Sequence, residues 1–340
     1  MGYRAKKEKV ENKKKIFKRV LLGILLLCII GLAIFSVFVP PNTWKYYVKL
    51  PKVGTRGDGE LRVHFIDVGQ GDSAVIELPD GKIVMIDGGD SAEATEKTVL
   101  RYLNALKIKT IDYLVVTHAD EDHCGSLKAV IENKNVLNAY IPPSKPADDE
   151  EYEQVYEALL REDCAIRYAS GGVKNLGIST EEYEYNLSFI YPFLSEVNDL
   201  LETEQELDEE GKNYFSSVLY LEYVGFKSLF MADVPEEIER RIVDSDKVGA
   251  FENRGFDLRE IDLLKVSHHG SKTATCEEFL AHTTPKTAVI SCGANNAYGH
   301  PASSVTGRLT AAEADIYRTD IKGHIIVTVE EGGEYWIKTV

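Results

Sequence analysis

The stretch THADEDHCG, residues 117–125, places two histidines and three carboxylates in the six residues from His118 to His123, directly after the apolar run IDYLVV. Charge of this density at the end of a strand is costly to fold unless a cation neutralises it. Imidazole nitrogens and carboxylate oxygens are the usual ligands of a hydrolytic divalent metal ion. The spacing predicts that His118 and Asp120 point at one position, and Asp122 and His123 at a neighbouring one.

Other ligand candidates follow apolar runs elsewhere in the chain. Asp87 ends KIVMIDGG, Asp233 ends SLFMAD, and His268 and His269 end IDLLKVSHHG, while His300 lies in YGHP. A single aspartate at a strand end is usually a turn or cap residue, and a lone histidine is usually structural. The whole set at strand ends favours one shared metal site over several coincidences.

The elements that must position these residues are short and mixed in type. Helical spacing is present in EATEKTVLRYLNALK, DEEYEQVYEALLRE and PEEIERRIV. Strand patterns are present in LRVHFIDV, SAVIEL, KIVMIDGG, IDYLVV, SSVLYLEYVGFKSLFMAD, IDLLKV, KTAVISCG and GHIIVTVEEGGEYWIKTV. Strands and helices that intermix, with hairpins among them, predict an α/β fold with mixed sheets. The acidic segment 198–212, NDLLETEQELDEEGK, is predicted to be a mobile surface loop.

The N-terminal region differs from the rest of the chain. Residues 1–19 carry a net charge of +7, and residues 20–39, VLLGILLLCIIGLAIFSVFV, carry no charge. An apolar run of about 20 residues crosses a bilayer as a helix, and a basic flank stays in the cytoplasm. The sequence therefore predicts a cytoplasmic tail (1–19), a transmembrane helix (20–39), a linker (40–59) and an extracytoplasmic domain (60–340). A cleaved signal peptide is the alternative, but the run is longer than an h-region and lacks a small-residue cleavage site.

Charge also limits the partners of the exported part. Subtracting the +7 of the tail from the whole-chain −16 leaves −23 for residues 20–340. So acidic a domain does not present a broad basic face to nucleic acid. A local cationic site made by metal ions remains compatible with this charge.

The order of these motifs resembles the metallo-β-lactamase fold superfamily. More closely, residues 60–338 are similar to the extracellular metallohydrolase domain of the competence protein ComEC. The similarity lies in FIDVGQGDSAVIELPDGKIVMIDGG, THADEDHCGS, SVLYLEYVGFKSLFMAD, LLKVSHHGSKT and NAYGHP. The resemblance implies an αββα sandwich of two mixed sheets flanked by helices, with two divalent metal ions, manganese or zinc, at one edge.

The resemblance also implies a role for each motif residue. His118 and Asp120 would hold a first metal ion. Asp122, His123 and His269 would hold a second, and Asp233 would bridge the two. Asp87 would orient a ligand from behind, and His268 and His300 would face the substrate, with Asp122, His268 and His300 as the catalytic group.

Two departures from the family concern the first metal and the membrane part. The superfamily usually supplies a further histidine before a strand, but here GKNYFSS offers Asn213 and Ser216. Asp120 also stands where many members have histidine. A first site with one imidazole and otherwise oxygen ligands suits manganese better than zinc. One predicted span cannot form the DNA channel of the full competence protein, so a separate DNA-uptake channel would be a partner.

The implied chemistry is hydrolysis of a phosphodiester. Two cations would lower the pKa of a shared water, and the resulting hydroxide would attack phosphorus. Gly270 and Ser271 would offer backbone N–H groups to a phosphate, and Lys272 a positive charge. The favoured substrate is single-stranded DNA. The alternatives are another cell-surface phosphoester, such as phosphocholine or a lipid head group, and a non-enzymatic partner of an uptake channel.

Overall fold

The computed structural model describes residues 2–38, 41–144, 149–171, 183–203, 206–251 and 255–340. The chain forms two compact units, Met1–Lys49 and Leu50–Val340. Residues 50–59, predicted to be linker, belong to the second unit. Within them Val53 is buried, and its carbonyl accepts a hydrogen bond from Arg62.

The first unit is built on one long helix, α1 (Gly2–Phe38), followed by a 3-10 segment at Pro41–Tyr47. Its candidate membrane span, Asn12–Ser36, contains an 18-residue window with a mean hydropathy of 2.6 and is long enough to cross a membrane. Phe35 packs against Trp44 and Tyr47 at ring-centroid distances of 5.7 and 6.5 Å. The basic tail and the apolar run are thus one continuous helix, and its orientation in a membrane stays a prediction.

The second unit contains short strands and helices in alternation. The strands are β1 (Leu61–Phe65), β2 (Ala74–Glu77), β3 (Ile83–Ile86), β4 (Thr110–Val115), β5 (Asn135–Ile141), β6 (Ala165–Tyr168), β7 (Tyr185–Tyr191), β8 (Val218–Tyr223), β9 (Phe226–Phe230), β10 (Leu263–Lys265), β11 (Thr287–Ile290), β12 (Asp315–Arg318), β13 (Ile325–Val329) and β14 (Tyr335–Thr339). The helices are α2 (Glu93–Ala105), α3 (Glu121–Cys124), α4 (Leu127–Asn133), α5 (Glu150–Arg161), α6 (Leu194–Thr203), α7 (Glu209–Tyr214), α8 (Glu236–Lys247), α9 (Glu277–Thr283), α10 (Ser303–Ala311) and α11 (Thr319–Lys322).

Within the described residues the strands form an eight-stranded and a six-stranded sheet. Their orders are β14-β13-β1-β2-β3-β4-β5-β6 and β12-β11-β10-β9-β8-β7. Each sheet has a parallel part, β3 to β6 and β9 to β12, beside antiparallel hairpins. The predicted mixed α/β architecture is confirmed.

Alternation along the strands divides the side chains between layers, because successive residues of a strand point to opposite faces. Leu219 and Leu221 of β8 lie in the core between the sheets. Val218 and Tyr220 pack on the other face in a second core, which includes Ile238 of α8, Phe279 of α9 and Val305 of α10. The helix α2 buries Val99, Leu100, Tyr102 and Leu103.

The prediction of a mobile loop at 198–212 is wrong for the residues that are described. Residues 198–203 complete α6, with Leu200 buried, and residues 209–212 begin α7. Asp208 caps α7 by accepting a hydrogen bond from Gly211 N at 2.9 Å. Acidic residues favour helix N-termini, so the composition that indicated disorder here starts a helix. Residues 204 and 205 lie outside the described residues.

Candidate metal centre

The candidate ligands come from the ends of strands in both sheets. Asp87 follows β3 and His118 follows β4, while Asp122 and His123 lie in α3. Asp233 follows β9. Because β3 and β4 run parallel, their carboxyl ends meet at one edge. The same holds for β9 and β10, and the 3-10 turn after β10 carries His268 and His269.

Four side chains converge to form what we call the second site: Asp122, His123, Asp233 and His269. His123 Nε2 lies 3.2 Å from His269 Nε2 and 3.3 Å from Asp233 Oδ1. His269 Nε2 lies 3.3 Å from Asp122 Oδ2 and 3.4 Å from Asp233 Oδ2. Four donors from three motifs, HADEDH, FMAD and SHHG, therefore surround one small volume.

These separations are those of neighbouring ligands around one ion. Ligands at about 2.1 Å from a tetrahedral metal ion are roughly 3.4 Å from each other. The observed 3.2–3.4 Å contacts are long for hydrogen bonds, and Asp233 Oδ1 is buried without a hydrogen-bond partner among the described residues. The residues present therefore fit a divalent cation.

The protonation of the two rings leads to the same conclusion. His123 Nδ1 is 2.8 Å from the Asp87 carboxylate, and His269 Nδ1 is 3.0 Å from the carbonyl oxygen of Ser291. Both partners only accept, so both Nδ1 atoms carry the proton. In neutral rings the Nε2 lone pairs then face each other across 3.2 Å. A cation between them removes this repulsion.

Carboxylates behind the ligands fix their orientation. Asp87 Oδ2 accepts from His123 and Thr117, and its Oδ1 accepts from the Thr117 amide at 2.9 Å. Asp72 Oδ1 is 3.3 Å from His269 Nδ1, and its Oδ2 is 2.5 Å from Lys265 Nζ. Such outer carboxylates raise ligand basicity and hold the ring in place. Asp87 lies behind His123, and its role in orienting a metal ligand stays a prediction. Asp72 and Lys265 were not singled out from the sequence.

Asp72 is not itself placed as a ligand. It belongs to a group of four with His123, Asp233 and His269 whose donor atoms lie within 4.8 Å of one another. Its oxygens, however, are on the Nδ1 side of His269 and on Lys265, whereas Nε2 faces Asp122 and Asp233. Asp122 is the better-placed fourth ligand on this geometric ground.

Asp72 reaches His269 because its loop passes tightly under α3. The preceding Gly71 has φ +118°, and a Cβ there would lie 2.1 Å from the carbonyl oxygen of Asp122. The Asp72 amide donates to that same oxygen at 3.1 Å. GQGDS is therefore a supporting turn beneath the site.

The first site is formed by His118 and Asp120. His118 Nδ1 lies 3.0 Å from the hydroxyl of Thr117, whose proton is given to Asp87, so Nδ1 donates and Nε2 carries the lone pair. His118 Nε2 is 3.6 Å from Asp120 Oδ2 and makes no hydrogen bond within the described residues. A buried unpaired nitrogen of this kind is a ready ligand.

The helix α7 faces the first site and brings Lys212 with it. Lys212 Nζ lies 3.5 Å from Asp120 Oδ1, 3.1 Å from Asp149 and 3.0 Å from Glu209. Asn213 Oδ1 and Ser216 Oγ are buried atoms without hydrogen-bond partners among the described residues. The predicted positions Asn213 and Ser216 thus carry unsatisfied oxygens, but their ligation of a metal stays a prediction.

The four ionisable side chains of the second site shift one another's pKa. Burial opposes the charged forms, but the ion pairs outweigh it. They hold the pKa of Asp122 and of Asp233 well below the ordinary range, and raise the pKa of His123 well above it and that of His269 to about 10. Two protonated rings would aim two N–H bonds at each other, so one metal ion satisfies the carboxylates better than two protons.

His268 and His300 lie on the open side of the cluster. His268 Nε2 is 3.6 Å from Asp233 Oδ2, and the His268 and His300 ring centroids are 5.7 Å apart. Burial lowers the pKa of both, that of His300 to about 4, so both imidazoles are neutral at pH 7. Their role toward a substrate remains a prediction.

The loop before His300 presents an aromatic ring at the cleft. Asn296 Nδ2 donates to the carbonyls of Gly293 and His300, and its Oδ1 accepts from the amides of Tyr298 and His300. Tyr298 is 72% exposed and stacks on His300 with centroids 5.6 Å apart. A single asparagine therefore fixes a loop that holds an exposed ring beside the site.

The predicted phosphate loop is only partly available. The Ser271 amide donates to the carbonyl of His268 at 2.7 Å, and the Ser271 hydroxyl lies 2.9 Å from that of Thr273. The prediction that the Ser271 amide is free for a phosphate is therefore wrong in this conformation, because the turn itself uses it. Gly270 has φ +80° and packs against Pro301, and Lys272 is exposed.

These groups line an open cleft of about 370 Å³ that is acidic. Its lining comprises Gln70, Asp120, Glu121, Asp122, Asp149, Glu209, Lys212, Asp233, His268, His269, Tyr298 and His300. With six carboxylates and one ammonium, this cleft repels an anionic substrate until cations neutralise it.

The chain is similar in sequence to two competence proteins. It is 30% identical over 284 residues to ComE operon protein 3 of Bacillus subtilis (strain 168), covering 78% of this chain and 33% of that protein. It is 28% identical over 276 residues to competence protein ComA of Neisseria gonorrhoeae, covering 81% of this chain and 33% of that protein. The chain thus spans about a third of the length of each.

Among solved structures, the metallo-β-lactamase fold protein YhfI from Bacillus subtilis aligns with a TM-score of 0.46 and 9% identity, covering 82% of this chain and 100% of that chain. The model of the metallo-beta-lactamase superfamily matches residues 66–294, which include the cluster from Asp87 to His269. The chain belongs to the metallo-beta-lactamase superfamily.

Proposed function

We propose that this protein is a membrane-anchored, metal-dependent phosphodiesterase that cleaves single-stranded DNA outside the cytoplasm. The observation that carries the proposal is the second site, where the buried His123, Asp233 and His269 and the half-buried Asp122 place donor atoms 3.2–3.4 Å apart around one volume. The names of two relatives, which refer to a competence operon or to competence, support DNA as the substrate. A separate DNA-uptake channel is the partner that this proposal implies.

A metal ion bound here would lower the pKa of a water and neutralise charge on phosphoryl oxygens. Asp122, His123, Asp233 and His269 would hold it, with His118 and Asp120 holding a second ion. Asp233 Oδ1 faces His123 and its Oδ2 faces His268 and His269. This spread of its two oxygens supports a central position for Asp233 between the ligands.

The chain's own groups then act on the substrate. His300 and His268 are neutral at pH 7, so each can donate an N–H bond to a phosphoryl oxygen or accept a proton. Tyr298 offers an exposed ring beside them. A ring of this kind stacks on unpaired bases but not on a paired duplex, which favours single strands.

The proposed metal is manganese in preference to zinc. The second site combines two imidazoles with two carboxylates, while the first offers one imidazole and the carboxylate of Asp120. Oxygen-rich sites suit harder ions. After chelator treatment, manganese should restore hydrolysis better than zinc, and restoration by one equivalent of zinc but not by manganese would contradict this preference.

Hydrolysis is tested with the full chain in detergent. Labelled single-stranded DNA, duplex DNA and bis(p-nitrophenyl) phosphate are each incubated with manganese, zinc or magnesium. Asp233→Ala should abolish cleavage, and Asp315→Ala, which alters an exposed aspartate on β12, should not. Hydrolysis of the small ester without cleavage of DNA would assign another phosphoester, and no hydrolysis with any metal would favour a non-enzymatic partner.

The location of the domain is tested separately. The basic residues within 1–19, which precede the uncharged run 20–39, support a cytoplasmic N-terminus. Protease added to cells with the wall removed should degrade the second unit and spare the N-terminal tail. A second unit that stays protected until lysis would overturn the extracytoplasmic location and the extracellular substrate.

A further inference from the structure

Lys212 is a buried cation of the cleft that lies beside the candidate metal ligand Asp120. Its side chain is 7% exposed, and its ammonium contacts Asp120, Asp149 and Glu209. Burial lowers the pKa of Lys212, but the hydrogen bonds that its ammonium donates to Glu209 and Asp149 outweigh this and raise the pKa above the ordinary value. The ammonium is therefore charged under all ordinary conditions.

The position of Lys212 matters more than its charge alone. Its Nζ lies 3.5 Å from Oδ1 of Asp120. The other carboxylate oxygen of Asp120, Oδ2, lies 3.6 Å from His118 Nε2. Asp120 is thus shared between a fixed ammonium on one side and the candidate ligand His118 on the other. A divalent ion at the first site must bind next to this positive charge.

The second site has no comparable ammonium among the described residues around it. Lys265 is close, but its charge is used by Asp72, which lies on the far side of His269. The four ligands of the second site therefore keep their negative charge for an ion. The two sites differ in the charge that an entering ion meets.

We propose that Lys212 is a built-in cation of the first site that weakens metal binding there, so that the protein holds one divalent ion tightly at the second site and another only weakly. Lys212 thereby sets the metal stoichiometry of the cleft. This inference rests on the proposed metal-binding role of the cleft but not on the identity of its substrate. Loss of Lys212 leaves Asp120, Asp149 and Glu209 without their cation, so they attract a divalent ion more strongly.

The test is metal binding by the full chain in detergent, without substrate. The variants Lys212→Met and Lys212→Gln remove the charge, and Lys212→Arg keeps it. The control variant Lys338→Met removes an exposed lysine of β14 that does not line the cleft. Chelator-treated protein is titrated with manganese and with zinc, and bound metal is counted after equilibrium dialysis. Circular dichroism and thermal unfolding confirm that each variant is folded.

Wild type, Lys212→Arg and Lys338→Met should bind one equivalent tightly and a second weakly. Lys212→Met or Lys212→Gln should tighten the second equivalent at least tenfold and leave the first unchanged. Two tight equivalents in the wild type, or an unchanged or weaker second equivalent in both neutral variants, would overturn the role of Lys212. Absence of any tight equivalent in every variant would instead overturn the metal site itself.

Discussion

The two halves of the cleft differ in how their ligands are supported. In the second site, His123 and His269 each donate from Nδ1 to a fixed acceptor, and carboxylates of Asp87 and Asp72 lie behind them. In the first site, His118 is held through the hydroxyl of Thr117, and its Nε2 has no hydrogen-bond partner within the described ranges. The two histidines whose Nδ1 atoms are held by acceptors and carboxylates are thus the ones whose Nε2 atoms converge on one position.

This difference in support shows that the two residue pairs of one short motif need not form equivalent sites. HADEDH supplies ligands to both halves, yet only its second pair meets His269 and Asp233 at 3.2–3.4 Å. The first pair instead meets the ammonium of Lys212 on α7. The buried oxygens of Asn213 on α7 and of Ser216 just after it have no hydrogen-bond partner among the described residues.

The largest effect should come from the second-site ligands. His269→Ala should remove the tight metal ion and abolish hydrolysis, a loss well beyond the ~10–100-fold that accompanies loss of an outer partner. His118→Ala should keep one tight equivalent, because the four second-site donors remain. Metal counting after dialysis distinguishes the two. Retention of tight metal by His269→Ala, together with its loss in His118→Ala, would reverse the comparison.

A smaller effect is expected from the carboxylate behind His123. Asp87→Asn keeps the shape but weakens the acceptor for His123 Nδ1, and should lower the affinity for the tight ion by about 10–100-fold. Asp149→Asn, the matched change beside the first site, should leave that affinity unchanged. Calorimetric titration measures both. An equal loss of metal affinity in the two variants would show that the carboxylate behind His123 has no special role in binding the tight ion.

A still smaller effect is expected at the rim of the cleft, where Tyr298 is exposed and stacks on His300. Tyr298→Ala should raise KM for single-stranded DNA about tenfold, since stacking contributes roughly 1–3 kcal/mol per base. Metal content, and kcat/KM for bis(p-nitrophenyl) phosphate, should not change, and Tyr298→Phe should behave as wild type. A loss of activity on the small ester that equals the loss on DNA would remove the stacking role.

The smallest effect on the site should come from Glu239, a buried acid behind the loop that follows His269. It accepts from the Thr275 and Cys276 amides at 2.6 and 2.7 Å, and burial raises its pKa from 4.5 to about 7. The folded state therefore favours the protonated acid. Its contribution to stability is full below pH 4.5 and is lost as the pH rises through 7, by at most about 3 kcal/mol.

The measurement for Glu239 is denaturant unfolding in chelator between pH 4.5 and 8. Glu239→Gln should flatten the decline of the free energy of unfolding over this range, at a cost of about 1 kcal/mol for the amide hydrogen bond it loses. Glu277→Gln, at an exposed position in the first turn of α9, should keep the wild-type slope. A wild-type slope in Glu239→Gln would mean that this carboxyl is ionised in the fold at low pH.

The sequence alone predicted the mixed architecture and placed the candidate ligands at the ends of strands. Alternation in SSVLYLEY and LRVHF assigns one set of side chains to the core between the sheets, because the period of a strand is two. Carboxyl ends of neighbouring parallel strands share an edge, so Asp87 and His118 lie at the same edge. The resemblance added the assignment of the candidate ligands to a first and a second metal ion, which composition does not contain.

The supporting residues were not evident from the sequence. Asp72 and Lys265 are 193 positions apart in the chain and form an ion pair only when the two sheets pack. A glycine-flanked aspartate after a strand was the one local signal for Asp72. Lys265 ends an apolar strand and carries no local signal.

The clearest case is Lys212, which lies in a stretch whose acidity indicated a mobile loop. Only the packed structure shows that Asp208 caps α7 and that Lys212 turns inward to Asp120 and Asp149. Local composition reports how a segment interacts with water. Which carboxylate a lysine pairs with depends on contacts across 63 and 92 positions, and those distances are set only when the second sheet and α7 close over the first.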